Sequence, residues 1–134
     1  MKPILIESSD AFKELCEEFI NEPLLAVDTE FFRETTYYPH LGLVQLASPS
    51  RIACVDPLAF DAREGLTTLL LNPDITKIFH SCIQDLEVLY QYLGQLPQQI
   101  TDTQIAAAML GEQDQIGYAA LVELQMGVQL EKSQ

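Results

Sequence analysis

A run of four apolar residues that ends in two carboxylates constrains the fold of this chain most. Residues 24–27, Leu-Leu-Ala-Val, are apolar at every position, which is typical of a strand buried at the centre of a sheet. Asp28 and Glu30 follow directly, within the sequence Val-Asp-Thr-Glu-Phe. Because side chains alternate along a strand, the two carboxylates are predicted to share one face, ~6.5–7 Å apart along the backbone.

This pair of carboxylates allows two interpretations. Burying two like charges together costs free energy, and a divalent cation between them would remove that cost. Carboxylate oxygens are hard ligands that suit Mg²⁺ or Mn²⁺. Alternatively, the strand emerges into solvent at Asp28 and both carboxylates are hydrated. The residues by themselves leave both interpretations open.

The rest of the chain alternates apolar runs with amphipathic segments. A helix capped at residues 8–10 is predicted from an apolar stripe with i, i+3, i+4, i+7 spacing, formed by Phe12, Leu15, Cys16 and Phe19. The other segments are predicted as strands at 3–6, 24–27, 43–47, 52–55, 75–79 and 100–102, and as helices at 61–71, 81–93, 103–110 and 118–126. This order predicts an α/β domain whose mixed sheet contains a three-stranded meander followed by crossovers.

Asp85 is a third candidate carboxylate, in the first turn of the helix predicted to begin at Ser81. Its i±3 and i±4 neighbours are Ser81, Cys82, Val88 and Leu89, so it lies towards the inward side of that helix. The helix dipole favours an anion in the first turn. Asp85 either caps the helix or binds a cation, and the presence of Ser81 as a cap favours the second role.

The charge balance argues against a simple nucleic-acid-binding protein. Seven basic and 20 acidic residues give a net charge of −13, and no stretch of the chain is basic. Proteins that neutralise phosphates usually carry a Lys/Arg patch. Either the ligand is not a polyanion, or cations and other parts of the protein supply the attraction. Composition alone favours a ligand that is not a polyanion.

Two further features bear on location. The three cysteines, Cys16, Cys54 and Cys82, are scattered singly and suggest neither a disulfide framework nor a zinc site, as is typical of the reducing cytoplasm. No apolar run reaches the ~18 residues of a membrane span, so no membrane partner is expected.

Taken in order, these motifs resemble the ribonuclease D family of DEDD-type 3′→5′ exonucleases. Val-Asp-Thr-Glu-Phe is similar to the family's first motif, and Phe79-His80 followed by Asp85-Leu86 is similar to its second. The segments at 36–46, 55–58 and 100–104 also match the ribonuclease D pattern. Asp-x-Glu alone is a weak signal, whereas the ordered set at these spacings is specific.

The resemblance implies a ribonuclease H-like mixed sheet flanked by helices and a site for two Mg²⁺ or Mn²⁺ ions. By this resemblance Asp28 bridges the ions, Glu30 binds the one that activates water, and Asp85 helps to hold the other. The implied reaction is in-line hydrolysis at RNA 3′ ends, such as those of tRNA precursors, to give nucleoside 5′-monophosphates. An acidic site that recruits cations would also explain how a chain of net charge −13 meets phosphate.

Three residues near these motifs are candidate substrate contacts. Phe31 is the last residue of the first motif, and Arg33, just past the motif, is the best-placed contact for a phosphate. His80 either contacts substrate or is a hydrogen-bonded structural residue at a strand end, and the structural role is the commoner one. Tyr37 and Tyr38 either stack on bases or anchor their loop, which aromatic residues do more often.

One part of the family pattern is absent. The family's third motif is Tyr-x-x-x-Asp or His-x-x-x-Asp, but no acid beyond Asp102 has Tyr or His four residues before it. Residues 1–134 are therefore expected to be a single, partial exonuclease domain, incomplete at its C-terminal end, from a truncated or cleaved product. We expect impaired activity and self-association through surface exposed by the truncation. Alternatives are a non-catalytic nucleic-acid-binding or assembly domain, and a DNA 3′→5′ exonuclease of the same fold.

Overall fold

The computed structural model describes residues 2–33, 39–80 and 83–103. In chain order, these residues form six strands and three helices: β1 (Ile4–Ile6), α1 (Ser9–Phe19), β2 (Leu24–Phe32), β3 (His40–Ser48), β4 (Arg51–Val55), α2 (Arg63–Leu70), β5 (Thr76–Phe79), α3 (Ile83–Leu93) and β6 (Ile100–Asp102). The predicted helices at 103–110 and 118–126 lie outside the described residues, apart from Thr103.

All six strands belong to one mixed sheet, in the order β1-β4-β3-β2-β5-β6. Strands β2, β3 and β4 are antiparallel neighbours, which confirms the predicted meander. Strand β1 runs parallel to β4, while β5 and β6 continue parallel from β2 on the other side. The parallel pairs are joined through helices, as crossover connections require.

Helix α1 follows the predicted apolar stripe. Phe12, Leu15, Cys16 and Phe19 are all buried, and they pack in the core with β1, β2 and β4. The Ser8 side chain accepts a hydrogen bond from the backbone N–H of Ala11 at 3.2 Å, as expected of an N-cap. The amphipathic spacing thus predicted this helix, and its N-cap lies among the predicted capping residues.

The contact between α1 and α2 depends on a glycine. A Cβ atom at Gly65 would lie 2.5 Å from Cε2 of the buried Phe12 ring and 3.0 Å from Cys16 Sγ. The two helices therefore approach each other at a position where no side chain fits. Helix α2 begins at Arg63, with Ala62 at the N-cap position. Asp61, which the sequence suggested as the cap, lies one residue earlier, and its carboxylate accepts a hydrogen bond from the Arg63 backbone N–H at 3.1 Å.

Two strands are longer than their apolar runs. Strand β2 extends to Phe32 instead of ending at Val27, and β3 begins at His40 instead of Leu43. The prediction ended β2 too early because the polar residues from Asp28 onward interrupt the apolar run. The hydrogen bonds between β2 and β3 nevertheless continue through these polar residues. As a result, Asp28 and Glu30 lie within the strand.

Helix α3 ends where its sequence predicts. Gly94 has a φ of +78°, a left-handed conformation that favours glycine, and its N–H donates to the Tyr90 carbonyl at 2.7 Å. The predicted N-cap, Ser81, lies outside the described residues. Within the part of the chain that the structure describes, no helix has the length and apolar character to cross a membrane.

Candidate metal centre

The face on which each polar residue of β2 lies follows from the strand register. Thr29 is paired with Val44, which is fully buried in the core beneath the helices. Thr29 therefore faces the helices and is itself only 7% exposed. Asp28 and Glu30 alternate with it and lie together on the opposite face of the sheet. Asp28 is half-buried, and Glu30 is exposed.

Asp85 approaches the same strand from the other side. Because β2 and β5 are parallel, their carboxyl ends lie at one edge of the sheet, and α3 starts just beyond β5. This brings the first turn of α3 beside β2. The buried Asp85 carboxylate accepts a hydrogen bond from the Thr29 hydroxyl, between Asp28 and Glu30 in the sequence.

The carboxylates at this edge influence one another. Burial raises the pKa of Asp85 to about 6, the Thr29 hydrogen bond opposes that rise, and the charges of Asp28 and Asp102 add to it. Burial also raises the pKa of Asp28, and the charge of Glu30 raises it further, whereas the Thr29 N–H and His80 lower it. Four acidic groups therefore share one electrostatic environment in which added positive charge would be favourable.

The chemistry of these donor groups suits a divalent cation, but their positions do not already form a metal site. The carboxylate oxygens of Asp28, Glu30 and Asp85 are hard donors of the kind that Mg²⁺ and Mn²⁺ prefer. However, no three His, Cys, Asp or Glu side chains among residues 2–33, 39–80 and 83–103 are arranged to hold a metal ion. The ligand set of Asp28, Glu30 and Asp85 therefore stays a prediction.

His80 is held at the end of β5 by hydrogen bonds. The Thr103 hydroxyl donates its single hydrogen to the Phe79 carbonyl at 3.0 Å and lies 3.1 Å from His80 Nδ1. Nδ1 must therefore be the protonated nitrogen that donates to Thr103. This bond orients the His80 ring, and His80 also lowers the pKa of Asp28. Its predicted contact with substrate stays a prediction.

The other two candidate substrate contacts are held by the protein itself. Arg33 forms an ion pair with Glu87 of α3, with Nη2 and Oε1 3.1 Å apart and both side chains about half exposed. Phe31 is partly buried and packs against the core. Their predicted contacts with substrate stay predictions. Tyr37 and Tyr38 lie outside the described residues.

Sequence reasoning missed Thr29, which links Asp85 to β2. A signal was present in the sequence. Residue 29 lies two positions after Val27 and four after Leu25, both core residues, so alternation along the strand predicts that its hydroxyl faces the core. A buried hydroxyl needs a partner, and the residue that would supply it lies 56 positions away in sequence. The pattern of one strand does not show that partner.

The comparison with family models defines the class of this protein. The model of the 3′–5′ exonuclease family matches residues 3–134. The chain therefore belongs to the 3′–5′ exonuclease family, in agreement with its mixed sheet and with the motif order in its sequence.

Among individual proteins, this chain is similar to ribonuclease D. It is 44% identical over 130 residues to ribonuclease D of Escherichia coli, covering 97% of this chain and 35% of that protein. The crystal structure of Escherichia coli RNase D, described as an exoribonuclease involved in structured RNA processing, superposes with a TM-score of 0.84 at 44% identity, over 99% of this chain and 36% of that one.

A more distant structure shows the same fold. Trypanosoma brucei RNase D in complex with RNA U12 has a TM-score of 0.74 at 20% identity, covering 98% of this chain and 49% of that one. The resemblance to ribonuclease D and the ribonuclease H-like mixed sheet are thus confirmed. The chain spans about a third of the length of the curated relatives that it matches.

Proposed function

We propose that this domain is a 3′→5′ exoribonuclease of the ribonuclease D type, acting on RNA 3′ ends. The observation that carries the proposal is the hydrogen bond from Thr29 to Asp85, which joins the second motif to the strand that bears the first. Support comes from the 44% identity to a protein described as an exoribonuclease. The RNA complex of the distant Trypanosoma brucei protein supports RNA as the polymer.

In this proposal Asp28, Glu30 and Asp85 hold Mg²⁺ or Mn²⁺. When bound, such ions would supply activation of water and stabilisation of charge on the phosphate. The contribution of Thr29 is to fix the orientation of the Asp85 carboxylate. His80, held by Thr103, lies close enough to Asp28 to lower the pKa of that carboxyl.

The finer features of the substrate are part of the same proposal. We propose tRNA precursors as substrates and nucleoside 5′-monophosphates as products. The cytoplasmic location suggested by the scattered cysteines remains a prediction, as does self-association.

The proposal is tested by nucleotide release from a short RNA with a single-stranded 3′ end, in Mg²⁺ or Mn²⁺. Wild-type protein should release 5′-mononucleotides stepwise from the 3′ end, at the impaired rate that the sequence predicts, and Asp28→Asn should lower that rate by at least ~10²-fold, because a group acting on transition-state charge is lost. Asp74→Asn, which makes the same chemical change at an exposed turn, should retain the wild-type rate. Equal rates in wild type and Asp28→Asn would show that this site is not the catalytic one.

A further inference from the structure

Two aromatic rings lie stacked where β2 ends and β3 begins. The rings of Phe32 and His40 are nearly parallel, with an interplanar angle of 21° and centroids 5.3 Å apart. The two residues are directly paired across the antiparallel ladder. Cross-strand aromatic pairs of this kind fix each other's orientation.

This pair lies on the same face of the sheet as the first-motif carboxylates. Glu30 pairs with Leu43 and Phe31 with Leu41, so the extra residue of the β-bulge is Gly42 on β3. Alternation along β2 therefore continues without interruption, and Phe32 follows Glu30 by two positions, ~6.5–7 Å further along.

The ring of Phe32 lies beside the bulge. A Cβ atom at Gly42 would lie 3.5 Å from Phe32 Cδ1 and 3.4 Å from the Glu30 carbonyl oxygen. The backbone of Gly42 therefore lies close to both the Phe32 ring and the Glu30 carbonyl. Phe31, by contrast, packs against the core on the helix side.

Both rings remain accessible. Phe32 is 38% exposed, and His40 is exposed as well. A stacked pair of accessible rings suits one class of ligand, because every nucleobase has a π-face that can extend the stack regardless of its sequence. Tyr37 and Tyr38, for which the sequence left base stacking open as an alternative to loop anchoring, are not needed for this.

We infer that Phe32 and His40 form a base-stacking subsite for the nucleotide next to the cleaved phosphate. The inference rests on the proposed exoribonuclease function, and it adds a contact that reads no base identity.

The test measures binding of single-stranded oligoribonucleotides by fluorescence anisotropy, with Ca²⁺ replacing Mg²⁺ to slow hydrolysis. One oligonucleotide is intact, and three others each carry an abasic site at one of the last three 3′ positions. For wild type, one of these abasic sites should weaken binding about 5- to 100-fold, the range expected from loss of one base–aromatic stack. Phe32→Leu should weaken binding of the intact RNA by the same factor and become insensitive to that abasic site.

Two variants serve as controls. Tyr90→Leu removes an aromatic ring that is 49% exposed on α3 and should bind every oligonucleotide as wild type does. Phe32→Trp keeps a π-face and should restore both affinity and sensitivity to the abasic site. If Phe32→Leu does not fold, as judged by circular dichroism, His40→Ala provides the same comparison.

The inference is overturned if the folded variant binds intact RNA like wild type, or if the penalty for the abasic site persists in it. Failure of the proposed function would look different. Wild-type protein would then release no nucleotides in Mg²⁺ or Mn²⁺ and would bind no oligonucleotide, whatever residue stands at position 32.

Discussion

At the scale of single residues, Thr29 and Asp85 form a buried, hydrogen-bonded pair, and the protonation state of Asp85 affects the stability of the whole domain. The Asp85 carboxylate is 7% exposed, and the Thr29 hydroxyl is the donor that stabilises its ionised form. A carboxylate that keeps its charge in such a place costs folding free energy. Sites that need a cation commonly carry this cost, because the cation removes it when bound.

The pH dependence of stability should show this cost. The folded-state pKa of Asp85 is about 6, above its ordinary value of 3.8. The folded protein therefore binds this proton more tightly, and stability falls as the pH rises from about 4 to about 6. In EDTA, Asp85→Asn, which keeps an oxygen acceptor for Thr29, should be more stable than wild type above pH 6 by about 3 kcal/mol.

Urea denaturation across pH 4–8 measures this difference. The two proteins should converge near pH 4, where Asp85 is protonated in the folded state. A constant difference across the range would mean that the titration of Asp85 is not coupled to folding. Glu64→Gln, at an exposed position on α2, is the matched control and should follow the wild-type curve.

At the scale of secondary-structure elements, the close approach of α1 and α2 organises the helical layer. Gly65 permits this approach, and the Cys16 thiol lies 3.7 Å from the Gly65 carbonyl, as a weak donor to it. Both helices cover the side of the sheet opposite to Asp28 and Glu30. The core that they enclose keeps β2 in its central position, with β3 on one side and β5 on the other.

We expect Gly65→Ala to destabilise the fold. Alanine in place of glycine normally stabilises a helix by about 1 kcal/mol. Here the added methyl would lie 2.5 Å from the buried Phe12 ring, and overpacking of this kind costs about 1–3 kcal/mol. The net expectation is a lower midpoint in thermal and urea denaturation.

Thr68→Ala, at an exposed position on the same helix, is the comparison for Gly65→Ala and should change stability by less than about 0.5 kcal/mol. A Gly65→Ala protein as stable as wild type would mean that the two helices separate without cost. Combining Gly65→Ala with Phe12→Leu, which shortens the facing side chain, should recover part of the loss.

At the scale of the whole molecule, the net charge of −13 sets the conditions for binding a polyanion. Long-range repulsion between this surface and RNA is screened beyond about 8–10 Å at physiological salt, so positive charge is needed mainly where the RNA touches the protein. Divalent cations at the carboxylate edge would meet that need.

Divalent cations should therefore stabilise the metal-free protein. Binding at ten times the dissociation constant contributes about 1.4 kcal/mol, which raises the melting temperature by several degrees. We expect Mn²⁺ to bind weakly, with at most one well-occupied site in calorimetric titration, because no three-ligand group is ready-made among the described residues.

In Asp28→Asn the specific stabilisation should disappear, leaving only the screening that NaCl of equal ionic strength also provides. Two tight Mn²⁺ sites in wild-type protein would contradict the expectation and would require ligands beyond the three carboxylates. Asp74→Asn again serves as the control at an exposed position.

Much of the fold followed from the sequence. Helix α1 was predicted because its apolar positions have helical spacing and Ser8 precedes them, and both signals are local. The meander was predicted because three short apolar runs are separated by brief connections. Boundaries failed at β2 and β3, where residues such as Asp28 and His40 are held in strands by the ladder rather than by their own preference.

The carboxylates themselves were also visible in the sequence, because alternation along one strand and one turn of a helix are local geometry. The tertiary structure alone decided how they meet: Asp85 reaches β2 through Thr29, across 56 residues, from the face opposite to Asp28 and Glu30. It likewise stacked Phe32 on His40, across a bulge at Gly42. Such contacts depend on strand order and on the direction from which a helix approaches. Those are properties of the packed sheet, and no single segment of the chain encodes them.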